Sequence, residues 1–233
     1  MNCIVASYLT TAFDPQRSTR KGLNDPEYIR AWYDSVVNLG LNGVILHDGL
    51  YRWFTDEFPK VRFIEVPPCG EYQLYDYRWI ICRQFLKVRD IENVFFTDVS
   101  DVQVIKNPFT QKEYRSKNLY CGDESGTMNQ NEWLELSLQS EKLCTLPGFK
   151  EMINSDRPML NCGIFGGGKF IVMQFLSKLI PLIEQMKHRR VDQTVDMPLF
   201  NYAAHGFDFI HGPPVNSIFK GYENRNDAWF IHK

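Results

Sequence analysis

The chain has 233 residues, 44% of them hydrophobic and 23% charged, enough for one large α/β core beneath an ordinary polar surface. Twenty-six Lys and Arg against 28 Asp and Glu leave a net charge of −2, so no global field draws in nucleic acid or an acidic membrane. An anionic ligand must therefore be held by local groups.

The opening residues 1–6 carry no basic region, and their apolar run ends at Ser7 and Tyr8, unlike a signal peptide. Residues 3–9 read as a buried first strand. The polar stretch 10–25, with Arg17, Arg20 and Lys21 close together, predicts a loop. Asp25 followed by Pro26 is a helix start, with Asp25 as the cap, and Gly40 ends that helix. Residues 43–47 and 61–66 predict the second and third strands. Asp76 caps a predicted helix over 77–88, and residues 93–97 form a strongly apolar fourth strand running into Asp98. This alternation predicts βαβ units and a mostly parallel sheet.

Beyond residue 105 the pattern is less regular. A strand is predicted over 159–165, a sharp loop at Gly166, Gly167 and Gly168, and a helix over 170–187. Gln174, Lys178, Pro181 and Glu184 interrupt that helix too often for a membrane span. Another helix is predicted from Asp192 to near Gly206, then a short strand over 207–210. The tail from His211, rich in Gly and Pro, predicts a loop lying over the body. Trp32, Trp53, Trp79 and Trp133 are expected in the core. Six cysteines with neither Cys-x-x-Cys nor zinc spacing predict reduced, mostly buried thiols in a cytoplasmic protein.

Asp98 and Asp101 stand at the carboxyl end of the fourth strand, the edge where open α/β sheets bind ligands. Hard carboxylate oxygens there suit Mg²⁺ or Mn²⁺ with positions left open for phosphate. The same two residues would equally serve to end a strand and stabilise a turn.

The segment Val94-Phe95-Phe96-Thr97-Asp98-Val99-Ser100-Asp101 resembles the acidic DxD motif of metal-dependent GT-A glycosyltransferases, with a spacing one residue wider. Asn161-Cys162-Gly163-Ile164-Phe165-Gly166-Gly167 is similar to that family's Asn/His-x-Gly/Ala-h-h-Gly-Gly stretch. The run from Asp192 through Asp196 to Tyr202 resembles the acidic helix start that follows it. The ending Phe230-Ile231-His232-Lys233 resembles the late His and Lys that close over the donor. The resemblance implies a Rossmann-like GT-A fold, a three-layer α/β/α sandwich with a mostly parallel central sheet, over a single domain 1–233. Its nucleotide-binding half would end at about residue 105 and its sugar and acceptor half, with the closing tail, would fill about 106–233.

The implied activity moves a hexose or pentose from a nucleotide diphosphosugar, UDP-sugar favoured, to a glycan or protein acceptor. Mn²⁺ or Mg²⁺ would sit on the diphosphate, and retention is slightly favoured over inversion. Asp98, Asp101 and His232 are the implied metal set; Asp101 is the favoured direct ligand, with Asp98 assisting or facing the ribose. Ser7, Tyr8 and Thr10 would hold base and ribose, and Arg78 and Lys233 the diphosphate. Asn161, Gly166 and Gly167 would line the sugar side, and Trp229 would floor an acceptor sugar. Asp196 and Asp192 compete as the sugar-side carboxylate, a plain helix cap explaining Asp192 without function. Two rivals remain open at this level. Residues 163–169 fit the first seven positions of a phosphate-binding P-loop, with Phe170 replacing its Ser/Thr, which would make an NTPase or kinase. A nucleotide-sugar binder without transfer activity is the other.

Overall fold

The computed structural model describes residues 1–11, 24–187, 195–217 and 227–233. Arg17, Arg20, Lys21 and Asp192 fall outside them. The first half follows the apolar pattern closely. Strands β1 (Asn2–Tyr8), β2 (Gly43–His47), β3 (Arg62–Glu65) and β4 (Asn93–Asp98) alternate with helices α1 (Pro26–Asn38), α2 (Arg52–Glu57) and α3 (Leu74–Val88). Asp25 caps α1 as expected, its carboxylate accepting from Glu27 N at 3.1 Å, with Pro26 in the first turn. Helix α3 begins earlier than expected. Gln73 occupies its cap position and Asp76 sits in the first turn, where a carboxylate favours the helix dipole.

The second half supplies β5 (Val102–Val104), β6 (Leu119–Thr127), α4 (Glu132–Ser137), α5 (Phe149–Ile153) and β7 (Pro158–Gly168). It ends with α6 (Lys169–Lys187), α7 (Asp196–Ala204), β8 (Phe209–Ile210) and β9 (Phe230–His232). The main sheet runs β3-β2-β1-β4-β7-β6-β8, parallel through β4, with β7 antiparallel to both β4 and β6. The tail, expected as a loop, contributes β9, which pairs antiparallel with β5.

Period-two alternation sends each strand's side chains to two cores. Cys3 and Val5 of β1 join Val94 and Phe96 of β4 beneath Trp79, Leu86 and Phe175 from α3 and α6. Ile4, Ala6 and Tyr8 join Phe95 on the opposite face with Trp32 of α1 and Trp229. The result is a three-layer α/β/α sandwich around a mostly parallel sheet. All six cysteines are free, four of them buried, and among the described residues no helix is long and apolar enough to cross a membrane.

Candidate functional site

Strand order reverses at β1: β2 lies on one side of it and β4 on the other, the arrangement that opens a crevice at the carboxyl ends of the strands. Register pairs Ser7 with Asp98 there. Because β7 runs antiparallel to β4, its early residues arrive at the same edge, with Ile164 opposite Thr97. A cleft of about 510 Å³ opens at this edge. Ser7, Arg78, Asp98, Asp101, Asn161, Asp196 and His232 all line it. Residues more than 200 positions apart in the chain, seven of those that the sequence reading singles out, thus meet in one concavity.

Arg78 is the hub. Its Nη1 donates to Asp98 Oδ1 at 3.0 Å, and its Nη2 donates to Asp196 Oδ2 and to Cys162 Sγ, both at 2.8 Å. The guanidinium also covers the Trp79 ring, its central carbon 4.4 Å from the centroid. Burial works against its charge, but the thiol and the two carboxylates outweigh burial, so its pKa lies above the ordinary guanidinium value. Burial likewise pushes the Cys162 thiol up, keeping it protonated, and Cys162 Sγ donates to Asp196 Oδ2 at 3.6 Å. Asp76 lies behind this group at the start of α3. Burial, then the neighbouring Asp196 charge, push its pKa up to about 7, with Arg78 pulling the other way.

At the other side of Asp98 the tail closes on the sheet. Val102 pairs with His232, and Lys233 N donates to Asp101 O at 2.9 Å, so β9 holds His232 beside the acidic turn. Gly163 makes room for it. A Cβ there would collide with the His232 ring and fall 2.8 Å from Asp98 Oδ2 and 2.9 Å from Asn161 Oδ1. Burial lowers the His232 pKa against the pull of Asp98 and Asp101, favouring the neutral imidazole, the form that ligates metals. Two carboxylates and an imidazole are a donor set that suits Mn²⁺ or Mg²⁺. Among the described residues no three His, Cys, Asp or Glu side chains gather closely enough to enclose an ion.

Several expected site residues lie elsewhere. Gly166 and Gly167 are strand, not loop, opposite Phe95 and Val94 towards the far end of β4. Glycine is required at 166 because a Cβ would collide with Val94 O and the Phe95 ring. The same ladders remove the P-loop geometry, since Gly166 and Gly167 pair with β6 on one side and β4 on the other. Trp229 is 1% exposed, its centroid 5.3 Å from Tyr120 and 6.1 Å from Phe95, and so is core rather than acceptor floor. Tyr8 is buried and stacks on Tyr28 with centroids 4.9 Å apart; it is Tyr28 that lines the cleft. Thr10 N donates to Asp48 Oδ1 at 2.6 Å, tying the end of β1 to the end of β2 instead of facing the cleft. Lys233 is placed at the site by its backbone, with an exposed side chain.

Trp32 and Trp79 are core as expected, whereas Trp53 and Trp133 are 57% and 40% exposed, and Trp133 lines the cleft. Glu124, Asn131 and Cys162 are further lining residues that the sequence reading leaves out. Cys162 falls inside the recognised Asn-x-Gly stretch, but a variable position carries no signal of its own. Asn131 is visible in the sequence only as a helix cap.

No family model and no curated protein sequence matches the chain. Solved structures do. The galactosyltransferase LgtC, in complex with donor and acceptor sugar analogues, superposes with a TM-score of 0.56 at 16% identity, covering 100% of this chain and 86% of that one. The bifunctional glycosyltransferase WbbM in its apo form gives 0.59 at 13% identity, covering 99% of this chain and 45% of that one. An active-site mutant of LgtC gives 0.53 at 15% identity over 100% of this chain. The strand order, the three layers and these superpositions together give the chain the GT-A glycosyltransferase fold.

Proposed function

We propose that the chain transfers a sugar from a nucleotide diphosphosugar to a glycan or protein hydroxyl, with UDP the favoured carrier and retention the favoured outcome. The observation that carries this reading is the convergence of Arg78, Asp98, Asp101, Asn161, Asp196 and His232 in one cleft at the switch point of the sheet. The fold shared with a galactosyltransferase solved with donor and acceptor sugar analogues supports it.

In the reaction the bond between the anomeric carbon and the diphosphate oxygen breaks, and its electron pair leaves with the nucleoside diphosphate. The acceptor oxygen bonds to that carbon on the same face and gives its proton to the departing phosphate oxygen. Asp98 and Asp101, with His232 beside them, would hold a divalent cation, whose chemistry is to neutralise the charge gathering on the diphosphate. Arg78 brings a permanent positive charge to the same floor, and a phosphate oxygen replacing one carboxylate partner would receive it in a preformed orientation. Asp196, held by Arg78, orients sugar hydroxyls; were the outcome inversion, it would be the base for the acceptor.

Thermal unfolding with UDP- and GDP-sugars is expected to show a Tm rise that needs both nucleotide and Mn²⁺, and Asp101→Ala is expected to abolish the metal-dependent part. Product analysis by NMR reads the anomer. Stronger stabilisation by ATP with Mg²⁺ than by every nucleotide diphosphosugar would overturn the reading, as would donor binding without turnover across a broad acceptor panel.

A further inference from the structure

The cleft occupies the carboxyl end of the strands, and the opposite end carries charge of the other sign. Four carboxylates line the cleft, Asp98, Asp101, Glu124 and Asp196, against one guanidinium, Arg78. Asn93, at the far end of β4, lies about 16 Å from Asp98 along the strand. Register sets Gly168 of β7 opposite Asn93, and Leu119 of β6 opposite Gly167. The end of α3, the segment before β6 and the start of α6 therefore meet there. Hydrogen bonds fix them into one surface: Lys169 Nζ donates to Arg89 O at 2.7 Å, Lys169 N to Glu92 O at 2.8 Å, and Gly168 N to Ser116 O at 2.9 Å.

This surface gathers cations. Lys87, Arg89, Lys112, Arg115 and Lys117 are exposed on it, and Lys169 is partly buried. Asp90, Glu92 and Glu113 stand among them, so six cations face three anions, an excess of positive charge in a chain whose net charge is −2. Two large apolar side chains share the surface. Val88, between Lys87 and Arg89, and Phe170, next to Lys169, are each 76% exposed. The core side of α6 is carried by Val172, Phe175 and Leu176, so Phe170 is not called on to fill the interior. Apolar side chains rimmed by cations suit a partner that offers anionic groups above a hydrocarbon boundary. The aliphatic stems of Lys and Arg add to the apolar area while their heads reach the anions. An RNA backbone would match the cations but leave Val88 in water.

We propose that this end of the sheet docks on an anionic lipid bilayer, Val88 and Phe170 entering the headgroup boundary while the Lys and Arg side chains meet lipid phosphates. The cleft, at the other strand ends, then faces away from the lipid. The inference stands apart from sugar transfer. Flotation with vesicles of phosphatidylcholine, alone or with about 30% phosphatidylglycerol, is expected to show binding to the anionic vesicles only. Raising the salt to ~0.5 M is expected to weaken it. The double variant Arg89→Gln/Lys117→Gln is expected to bind about 30-fold more weakly. Phe170→Ser is expected to bind about fivefold more weakly, and Phe170→Leu close to the parent. Lys142→Gln/Lys150→Gln removes the same charge beside α5 and is expected to leave binding unchanged. All five substituted side chains are exposed, and Tm without lipid reports that the variants stay folded. Equal binding to neutral vesicles, no binding to either kind, equal losses in the two double variants or undiminished binding by Phe170→Ser would each overturn the assignment. Retention of a single-stranded RNA without vesicle binding would overturn it in favour of a nucleic-acid surface.

Discussion

Removing the Arg78 guanidinium tests the electrostatic core of the site directly, whatever the substrate. Arg78→Met keeps the aliphatic stem but deletes every partner that Asp98 and Asp196 find in this side chain. The two carboxylates differ in exposure: Asp196 is 7% exposed at the side chain and Asp98 37%. Stranding a buried charge typically costs ~3–5 kcal/mol, whereas water near Asp98 should absorb most of its loss, leaving under ~1 kcal/mol. The expected destabilisation at neutral pH is therefore ~3–4 kcal/mol, or about 6–16 °C in Tm for a chain of this size. Urea unfolding followed by circular dichroism measures it as a lower midpoint at unchanged slope. The paired variant Arg78→Met/Asp196→Asn removes the stranded charge and is expected to recover about 2 kcal/mol of that loss. A loss below ~1 kcal/mol in the single variant would refute the claim that these groups form a buried charge network. A double variant less stable than the single one would refute it equally.

Asp76→Asn should stabilise the protein in alkaline solution. The folded state keeps a proton to about pH 7 that the unfolded chain releases near pH 4, so wild-type stability falls as pH rises between those values and stays low above them. Denaturation curves of the two proteins should meet near pH 4 and separate by as much as ~4 kcal/mol above pH 7; parallel curves across that range would contradict the burial argument. Gly163→Ala should cost ~1–3 kcal/mol, because its methyl group overlaps the His232 ring and β9 must lift away. Hydrogen exchange at residues 230–232 is expected to accelerate in that variant, and unchanged protection would show that Gly163 does not make the space in which the tail sits.

The parallel half of the sheet was legible because strands buried on both faces must be continuously apolar. Residues 43–47 and 93–97 announce themselves that way, and a polar residue ending such a run, Asp98, marks the ligand edge at once. The antiparallel insertion was not legible in the same way. Gly166 and Gly167 read as a loop because glycine usually relieves backbone conformation. In the folded chain Gly166 relieves a collision instead, with Val94 O and the Phe95 ring, and only the partner strand reveals it. Trp229 is buried and Trp133 40% exposed, against expectation, for a related reason. A tryptophan's burial depends on how a short element is set against the body, and neither a six-residue helix nor the residue just before a three-residue strand offers a period from which to read it.

His232 shows how far resemblance can substitute for periodicity. Three residues at the end of the chain, Phe230 to His232, carry too little pattern to predict a strand, yet pairing with β5 sets His232 opposite Val102, next to the acidic turn. The turn sits there because β4 ends at the switch point. Asn161 and Cys162 reach the same edge because β7 reverses direction, and Asp196 does so as the first residue of α7. Local rules therefore identify residues that can carry a charge, and sheet topology decides which of them share a cleft. Exchanging the direction of β7 alone would leave the composition untouched and move Gly166 and Gly167, rather than Asn161 and Gly163, to the side of Asp98.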